Sequence, residues 1–242
     1  MYHELRLEQI LRTLEVLQSR ISERFPDSGL SRVAAELRRV GEETGLVVER
    51  ARRPNWILRG AVGVAFALVL VTGGALFVFI RSLTPDVQGI GSLLQAIESA
   101  AQDLIFLALA MYFLLTLETR FKRKTSLREL HRLRSIVHIV DMHQLTKDPE
   151  HLLYPGRETA SSPTPGLTRF ELGRYLDYCT ELLSLSSKLA ALHVQYVNDP
   201  VVLGAVNDIE TLASHLSSKI WQKIVILDTA FGAKGASTEL AG

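Results

Sequence analysis

Four polar residues in the middle of the chain recur in steps of three and four, which places them along one side of a predicted helix. They are His131, Arg134, His138 and Asp141. His138 and Asp141 lie one helical turn apart and are weak candidate metal ligands, whereas His131 and His138 are about 10 Å apart along the axis and cannot share an ion. A metal site would need ligands from other helices. The candidates by residue type are His193, His215 and Asp208.

A hydrogen-bonded network is the preferred interpretation of these four residues. We expect Asp141 to pair with His138, which would raise the pKa of the histidine and make the stripe a pH-responsive joint between helices. The alternative is a solvent-facing row that keeps the helix soluble.

Motifs that concentrate catalytic groups are missing from the sequence. It contains no Gly-rich phosphate loop, HExxH zinc motif, paired-cysteine motif or GxSxG nucleophile elbow. The lone cysteine, Cys179, excludes an internal disulfide and is expected to pack in a core. We therefore expect no catalytic residue, no cofactor and no enzymatic activity. A metal-dependent enzyme or metal sensor that uses His138 and Asp141 is a further alternative.

The elements that position these residues are dominated by an uncharged run from Gly60 to Ile80. A helix of this length spans about 30 Å, the thickness of the hydrocarbon core of a bilayer. A second apolar run, 104–117, predicts a returning leg. The sequence thus predicts a transmembrane hairpin over residues 54–119, with spans at about 60–80 and 98–118 and a short external loop.

Basic residues flank this hairpin on one side. The candidate contacts to lipid headgroups are Arg52, Arg53, Arg120, Lys122, Arg123 and Lys124, with Trp56 as an interfacial anchor. Residues 81–103 contain one basic and three acidic residues. The positive-inside rule predicts that both termini lie in the cytoplasm. We expect the hairpin to lie in a bacterial-type inner membrane. Anionic lipid is the simpler partner for the basic residues, and no nucleic acid is expected because the net charge is only +1.

Two features of the spans invite a functional interpretation. Asp103 lies near the outer end of the second span, either at the headgroups or buried in the bilayer as a functional carboxylate. Small residues form a stripe on the first span, where close approach of helices is possible. They are Gly60, Gly63, Ala67 and Gly74. They would pack against the second leg or mediate dimerisation.

The remaining segments predict a cytoplasmic helical bundle, so the fold class is all-α. Residues 1–53 form amphipathic helices with a turn at 27–29, and 120–148 form a juxtamembrane helix. A Pro- and Gly-rich linker covers 149–167, a helical hairpin covers 168–230, and a flexible tail covers 231–242. The hairpin opens with a capping-box pattern at Thr168 and Glu171, and a turn at 198–200 joins its helices.

A coiled-coil-like heptad seam runs along the second N-terminal helix. Its members are Leu30, Val33, Leu37, Val40, Thr44 and Val47. The seam either closes an antiparallel hairpin within the chain or joins two protomers. Gly41 and Gly45 weaken it by about 1 kcal/mol each relative to alanine.

The layout of N-terminal helices, two spans and further cytoplasmic helices is similar to small two-span membrane effectors of bacterial defence systems. No residue is carried over from that resemblance. We predict a membrane-anchored helical scaffold or sensor that acts through self-association, as a homo-oligomer, or through an unknown cytoplasmic protein partner. The alternatives are an oligomeric pore or transport accessory and a two-span membrane effector.

Overall fold

The computed structural model of the chain describes residues 4–52, 56–82, 89–149 and 166–239. Over these residues the regular structure is helical throughout, as the sequence predicted. The helices are α1 (Leu7–Arg24), α2 (Gly29–Arg52), α3 (Trp56–Ser82), α4 (Gly89–Leu145), α5 (Arg169–Tyr196) and α6 (Pro200–Glu239).

The helices belong to two compact units. The bundle unit consists of Met1–Ala51 and Thr125–Gly242, and the apolar unit consists of Arg52–Lys124. Helix α4 contributes its first part to the apolar unit and its last part to the bundle unit.

The turn between α1 and α2 follows the predicted residues. Asp27 has a φ of 55°, in the left-handed region that an aspartate tolerates better than most residues. The Ser28 hydroxyl then accepts a hydrogen bond from the Ser31 backbone N–H at 3.1 Å, which caps the start of α2.

Side-chain caps also begin α5 and α6 where the sequence predicted them. Thr168 accepts from the backbone N–H of Glu171 at 3.3 Å, and the Glu171 carboxylate accepts from the Thr168 N–H at 2.8 Å. Asp199 accepts from the backbone N–H groups of Val201 and Val202, at 2.9 and 3.2 Å. The predicted capping box and the predicted turn at 198–200 are therefore confirmed.

Helix α5 is the central helix of the bundle unit. Its buried positions are spaced so closely that they extend well beyond one stripe, whereas α1 buries a single stripe. The buried residues of α5 are Leu172, Tyr175, Leu176, Tyr178, Cys179, Leu182, Leu183, Leu185, Ser186, Leu189, Ala190, Leu192 and His193. A helix that is apolar over most of its circumference must be surrounded by other helices. Cys179 is fully buried, as expected of a core cysteine.

The heptad seam on α2 is buried inside the chain. Leu30, Leu37 and Val40 are completely inaccessible to solvent, and Val48 is more buried than the predicted Val47. A Cβ atom added to Gly41 would lie 2.9 Å from Leu11 on α1 and 3.4 Å from Leu189 on α5. Glycine therefore lets three helices approach closely at this point, and the seam closes within one chain.

Two helices are longer than the sequence predicted. Helix α4 is continuous over 57 residues, so the predicted second span and the juxtamembrane helix 120–148 are parts of one element. Helix α6 continues to Glu239, whereas the sequence predicted that this helix ends near residue 230. Residues 231–239 contain no proline, and adding residues to an existing helix is much easier than nucleating a new one.

Some predictions concern residues outside the described ranges. They are most of the linker 149–167 and the headgroup candidate Arg53.

Candidate functional site

The predicted polar stripe on α4 has few contacts among its own members. His131 and His138 are exposed, and Arg134 reaches Asp208 on α6 at 3.9 Å. Both partners of this ion pair are more than half exposed, so it contributes little to stability. Asp141 accepts a hydrogen bond from the side-chain amide of Gln144 at 2.7 Å instead of the predicted bond from His138.

The stripe does not assemble a metal centre in the described part of the chain. No group of three or more His, Cys, Asp or Glu residues there is placed to hold an ion. His193, a candidate further ligand, is buried in the core on α5, and His215 is exposed on α6.

The predicted features of the spans are all exposed. A Cβ atom added to Gly60, Gly63 or Gly74 would meet nothing within 4 Å, and Ala67 is exposed beside them. No other part of the described chain therefore packs against these glycines, and both packing of the predicted legs and dimerisation through the stripe stay predictions. Asp103 is also exposed.

The basic residues at the predicted headgroup level are partly described. Arg120 and Lys124 are exposed, and Lys122 and Arg123 are half-buried with interactions of their own. The side chain of Arg52 lies outside the described part, as does the whole of Arg53.

The apolar unit presents large apolar side chains to its surroundings. Ile105, Leu109 and Tyr112 on α4 are 66, 67 and 67% exposed, and Leu70 and Val71 on α3 are similarly exposed. Among the described residues, the segment Ile97–Leu145 contains the one apolar stretch that is long enough to cross a membrane, and Gly60–Ala75 is a shorter apolar helix. A contiguous apolar surface of this kind marks contact with lipid or with another protein.

A charged network that the sequence did not indicate joins α4 to α2. Arg132 makes ion pairs with Glu43 on α2 and, at 3.0 Å, with Glu129 on its own helix. Arg39 extends the network through Glu43 at 2.8 Å. The hydrogen bond from Arg132 lowers the pKa of Glu43, so the carboxylate is held ionised. Its role is to position the two helices.

A second missed feature is an arginine cluster around Tyr178 on α5. The guanidinium carbons of Arg20 and Arg174 lie 5.3 and 5.1 Å from the centre of the tyrosine ring, and Arg24 stacks at 5.3 Å over Phe170. These are cation–π distances. Arg20 and Arg24 are one turn apart on α1, and Arg174 and Tyr178 are one turn apart on α5. The sequence shows both spacings but not that the two helices meet.

A surface pocket of about 480 Å³ opens at this cluster. Its lining residues are Arg20, Glu23, Arg24, Arg174 and Tyr178. Burial raises the pKa of the Tyr178 phenol, but hydrogen bonds from Arg174 and Arg24 and the charge of Arg20 outweigh burial, so the net pKa is lowered. We call this site the arginine pocket.

Comparisons with protein-family models, with curated proteins and with solved structures find no match to this chain. The function is therefore argued from the residues of the chain itself.

Proposed function

We propose that this protein is a membrane-anchored helical scaffold or sensor. Helix α3 and the apolar part of α4 form a two-span hairpin, and the bundle unit lies in the cytoplasm, where it self-associates or binds a protein partner. The proposal assigns no catalytic step. The observation that carries it is the outward-facing apolar surface of the apolar unit, at Ile105, Leu109 and Tyr112.

The contrast between the two units supports a lipid environment for one of them. In the bundle unit the apolar stripes of the helices are buried in one core. In the apolar unit, large side chains of both helices remain exposed. Each large aliphatic side chain left in water forgoes about 1.5–3 kcal/mol of burial free energy, and a bilayer recovers it.

The distribution of charged residues in the sequence supports the proposed orientation of the hairpin in the membrane. In the sequence, basic residues lie before the first span and after the second, whereas residues 81–103 contain one basic and three acidic residues. By the positive-inside rule, this distribution supports a cytoplasmic location for both termini. The membrane proposed is the inner membrane of a bacterial-type cell. Anionic headgroups are the proposed partners of Arg120 and Lys124.

Charged substitutions on the exposed apolar surface test the proposal. The double variant Ile105→Arg with Leu109→Arg adds two arginines at a cost of about 2.5–3.5 kcal/mol each in a membrane helix, and we expect it to leave the membrane fraction. The wild type should resist alkaline carbonate extraction. The measurement is the share of the full chain that remains in membrane pellets.

A matched control carries the same charges on the bundle unit. Val16 and Leu46 are 53 and 62% exposed on α1 and α2, so Val16→Arg with Leu46→Arg should stay in the membrane. Release of the wild type by carbonate, or equal release of both double variants, would contradict membrane anchoring through the apolar unit.

An oligomeric pore, transport accessory or two-span membrane effector is the second candidate function. Two helices cannot enclose a pore alone, so this function requires several copies. The open space beside Gly60, Gly63 and Gly74 favours it, because another copy of the hairpin can approach there. Asp103 would then line a polar path.

A further inference from the structure

We propose that the arginine pocket binds a phosphate-bearing anion. The pocket lies within the bundle unit, on α1 and α5, so this inference is independent of the membrane proposal. The groups that line it are three guanidinium groups, one phenol and the exposed carboxylate of Glu23.

Hydrogen-bond donors dominate the lining of the pocket. Each guanidinium carries five N–H donors and no acceptor. Tyr178, which also lines the pocket, adds a phenol O–H that can donate to a ligand. Glu23 is the one lining residue that is purely an acceptor, and it is exposed. A ligand that matches this lining must be rich in acceptors and negatively charged.

The arginines retain donors for such a ligand after their internal contacts are counted. Arg20 pairs with Glu181 at 3.3 Å, and Arg174 pairs with Asp177 at 3.1 Å, each through a single nitrogen. Among the described residues, Arg24 has no carboxylate within ion-pair distance, although its charge helps to lower the pKa of Glu171. Arg24 is therefore the group that can neutralise a bound anion most directly.

The scaffold holds these donors in place before a ligand arrives. Tyr178 is 2% exposed, and its ring makes edge-on contacts with Phe25 at 6.2 Å, so the phenol cannot move away. Guanidinium groups stacked on an aromatic ring lose less conformational freedom on binding than free ones. The cavity volume of about 480 Å³ lies in the range of small-molecule sites and admits a phosphate group with part of a larger molecule.

A phosphate group suits the geometry better than a carboxylate. Its oxygens point in several directions, and the donors here come from two helices, α1 and α5. Arginine is also the residue that proteins favour for phosphate, because its planar fork makes paired hydrogen bonds. The source of the group is either a free phosphorylated molecule or a lipid headgroup.

Isothermal titration calorimetry on the full chain in an uncharged detergent tests the proposal, with inorganic phosphate and pyrophosphate as probes. We expect both probes to bind, with pyrophosphate the tighter of the two. Arg24→Gln should raise the dissociation constant by about tenfold or more, because it removes a charged hydrogen-bond donor. Tyr178→Phe keeps the ring and removes only the phenol donor, and it should weaken binding less.

Arg38→Gln is the matched control. Arg38 is an exposed arginine on α2 that pairs with Glu15 and Glu42, and it does not line the pocket. Its replacement changes the net charge by the same amount as Arg24→Gln. Circular dichroism melting of each variant separates loss of binding from loss of fold. Absence of binding by the wild type, or equal weakening in folded Arg24→Gln and Arg38→Gln, would overturn the proposal.

Mixed micelles that contain phosphatidylglycerol distinguish the two sources of the phosphate group. If the ligand is a lipid headgroup, this lipid should weaken pyrophosphate binding by the wild type but leave the residual binding by Arg24→Gln unchanged. If the ligand is a free phosphorylated molecule, the dissociation constant of the wild type should be the same with and without the lipid. Either result supports a phosphate site at Arg24.

Discussion

Two buried residues of α5 carry polar groups in different surroundings. Tyr178 lines the arginine pocket at the edge of the core, where the guanidinium groups of Arg20 and Arg174 stack on its ring. His193 is 1% exposed, and its Nε2 atom has no hydrogen-bond partner within the described part of the chain. Burial lowers the pKa of His193 to about 4 because the charged imidazolium cannot be solvated there. The fold therefore holds this histidine neutral.

The stability of the bundle unit should fall in mild acid because of His193. Its pKa is about 4 when folded and 6.5 when unfolded, so its stabilising contribution is complete above pH 6.5 and is lost as the pH falls toward 4. Between pH 7 and pH 5 the loss is about 2 kcal/mol. His193→Leu should remove this part of the pH dependence in urea unfolding experiments.

His215→Leu is the control for that experiment. His215 is exposed on α6, so its replacement should leave the pH dependence of stability as in the wild type. The same slope in His193→Leu and in the wild type would show that protonation of His193 does not limit stability.

At the scale of elements, glycines have opposite roles in α2 and α6. Gly41 lies where α1, α2 and α5 meet, and Gly204 on α6 faces open space. Helix propensity alone would favour leucine over glycine at both positions. Only the packing around each glycine shows which replacement the fold can accept.

Replacing each glycine with leucine should therefore have opposite effects. Gly41→Leu forces side-chain atoms against Leu11 and Leu189, and we expect a loss of about 1–3 kcal/mol in the free energy of unfolding. Gly204→Leu should gain about 0.5–1 kcal/mol, because it replaces a flexible residue in an open helix position. Urea unfolding in detergent measures both, and a stabilising Gly41→Leu would mean that the three helices are less closely packed than described.

At the scale of the whole molecule, the two units place their apolar residues in opposite ways. The bundle unit has an internal core that includes the seam of α2, so that seam is not available for a second copy. The apolar unit leaves its glycines open. If the chain self-associates through the membrane, the face that contains Gly63 is the best candidate for the contact.

Gly63→Leu tests that contact without disturbing the chain itself. A side chain added at Gly63 meets nothing within 4 Å in its own chain, so the bundle unit should unfold at the same urea concentration as in the wild type. If copies pack through this face, chemical crosslinking of native membranes should yield fewer oligomers for Gly63→Leu than for the wild type. Unchanged crosslinking would exclude this face, and ion flux through liposomes would then be the remaining test of a pore.

Local signals in the sequence determined the helices and many of their boundaries. The caps at Ser28, Thr168 and Asp199 depend on hydrogen bonds between residues two or three positions apart, so residue type and spacing suffice to predict them. The heptad spacing likewise predicted five buried positions of α2, which are Leu30, Val33, Leu37, Val40 and Thr44. The uncharged run at 60–80 predicted a helix, which lies within α3, whereas a membrane span at these residues stays a prediction.

Which helices meet was decided only by the tertiary structure. Arg20 and Arg24 lie about 150 residues before Arg174 and Tyr178 in the sequence, and no local pattern shows that they share a pocket. The same holds for Arg132 and Glu43. On α4, spacing alone did not show which neighbour Asp141 contacts, because His138 and Gln144 both lie three positions away and the hydrogen bond comes from Gln144. Spacing determines which side chains share a face, whereas contacts between distant residues depend on how the helices pack.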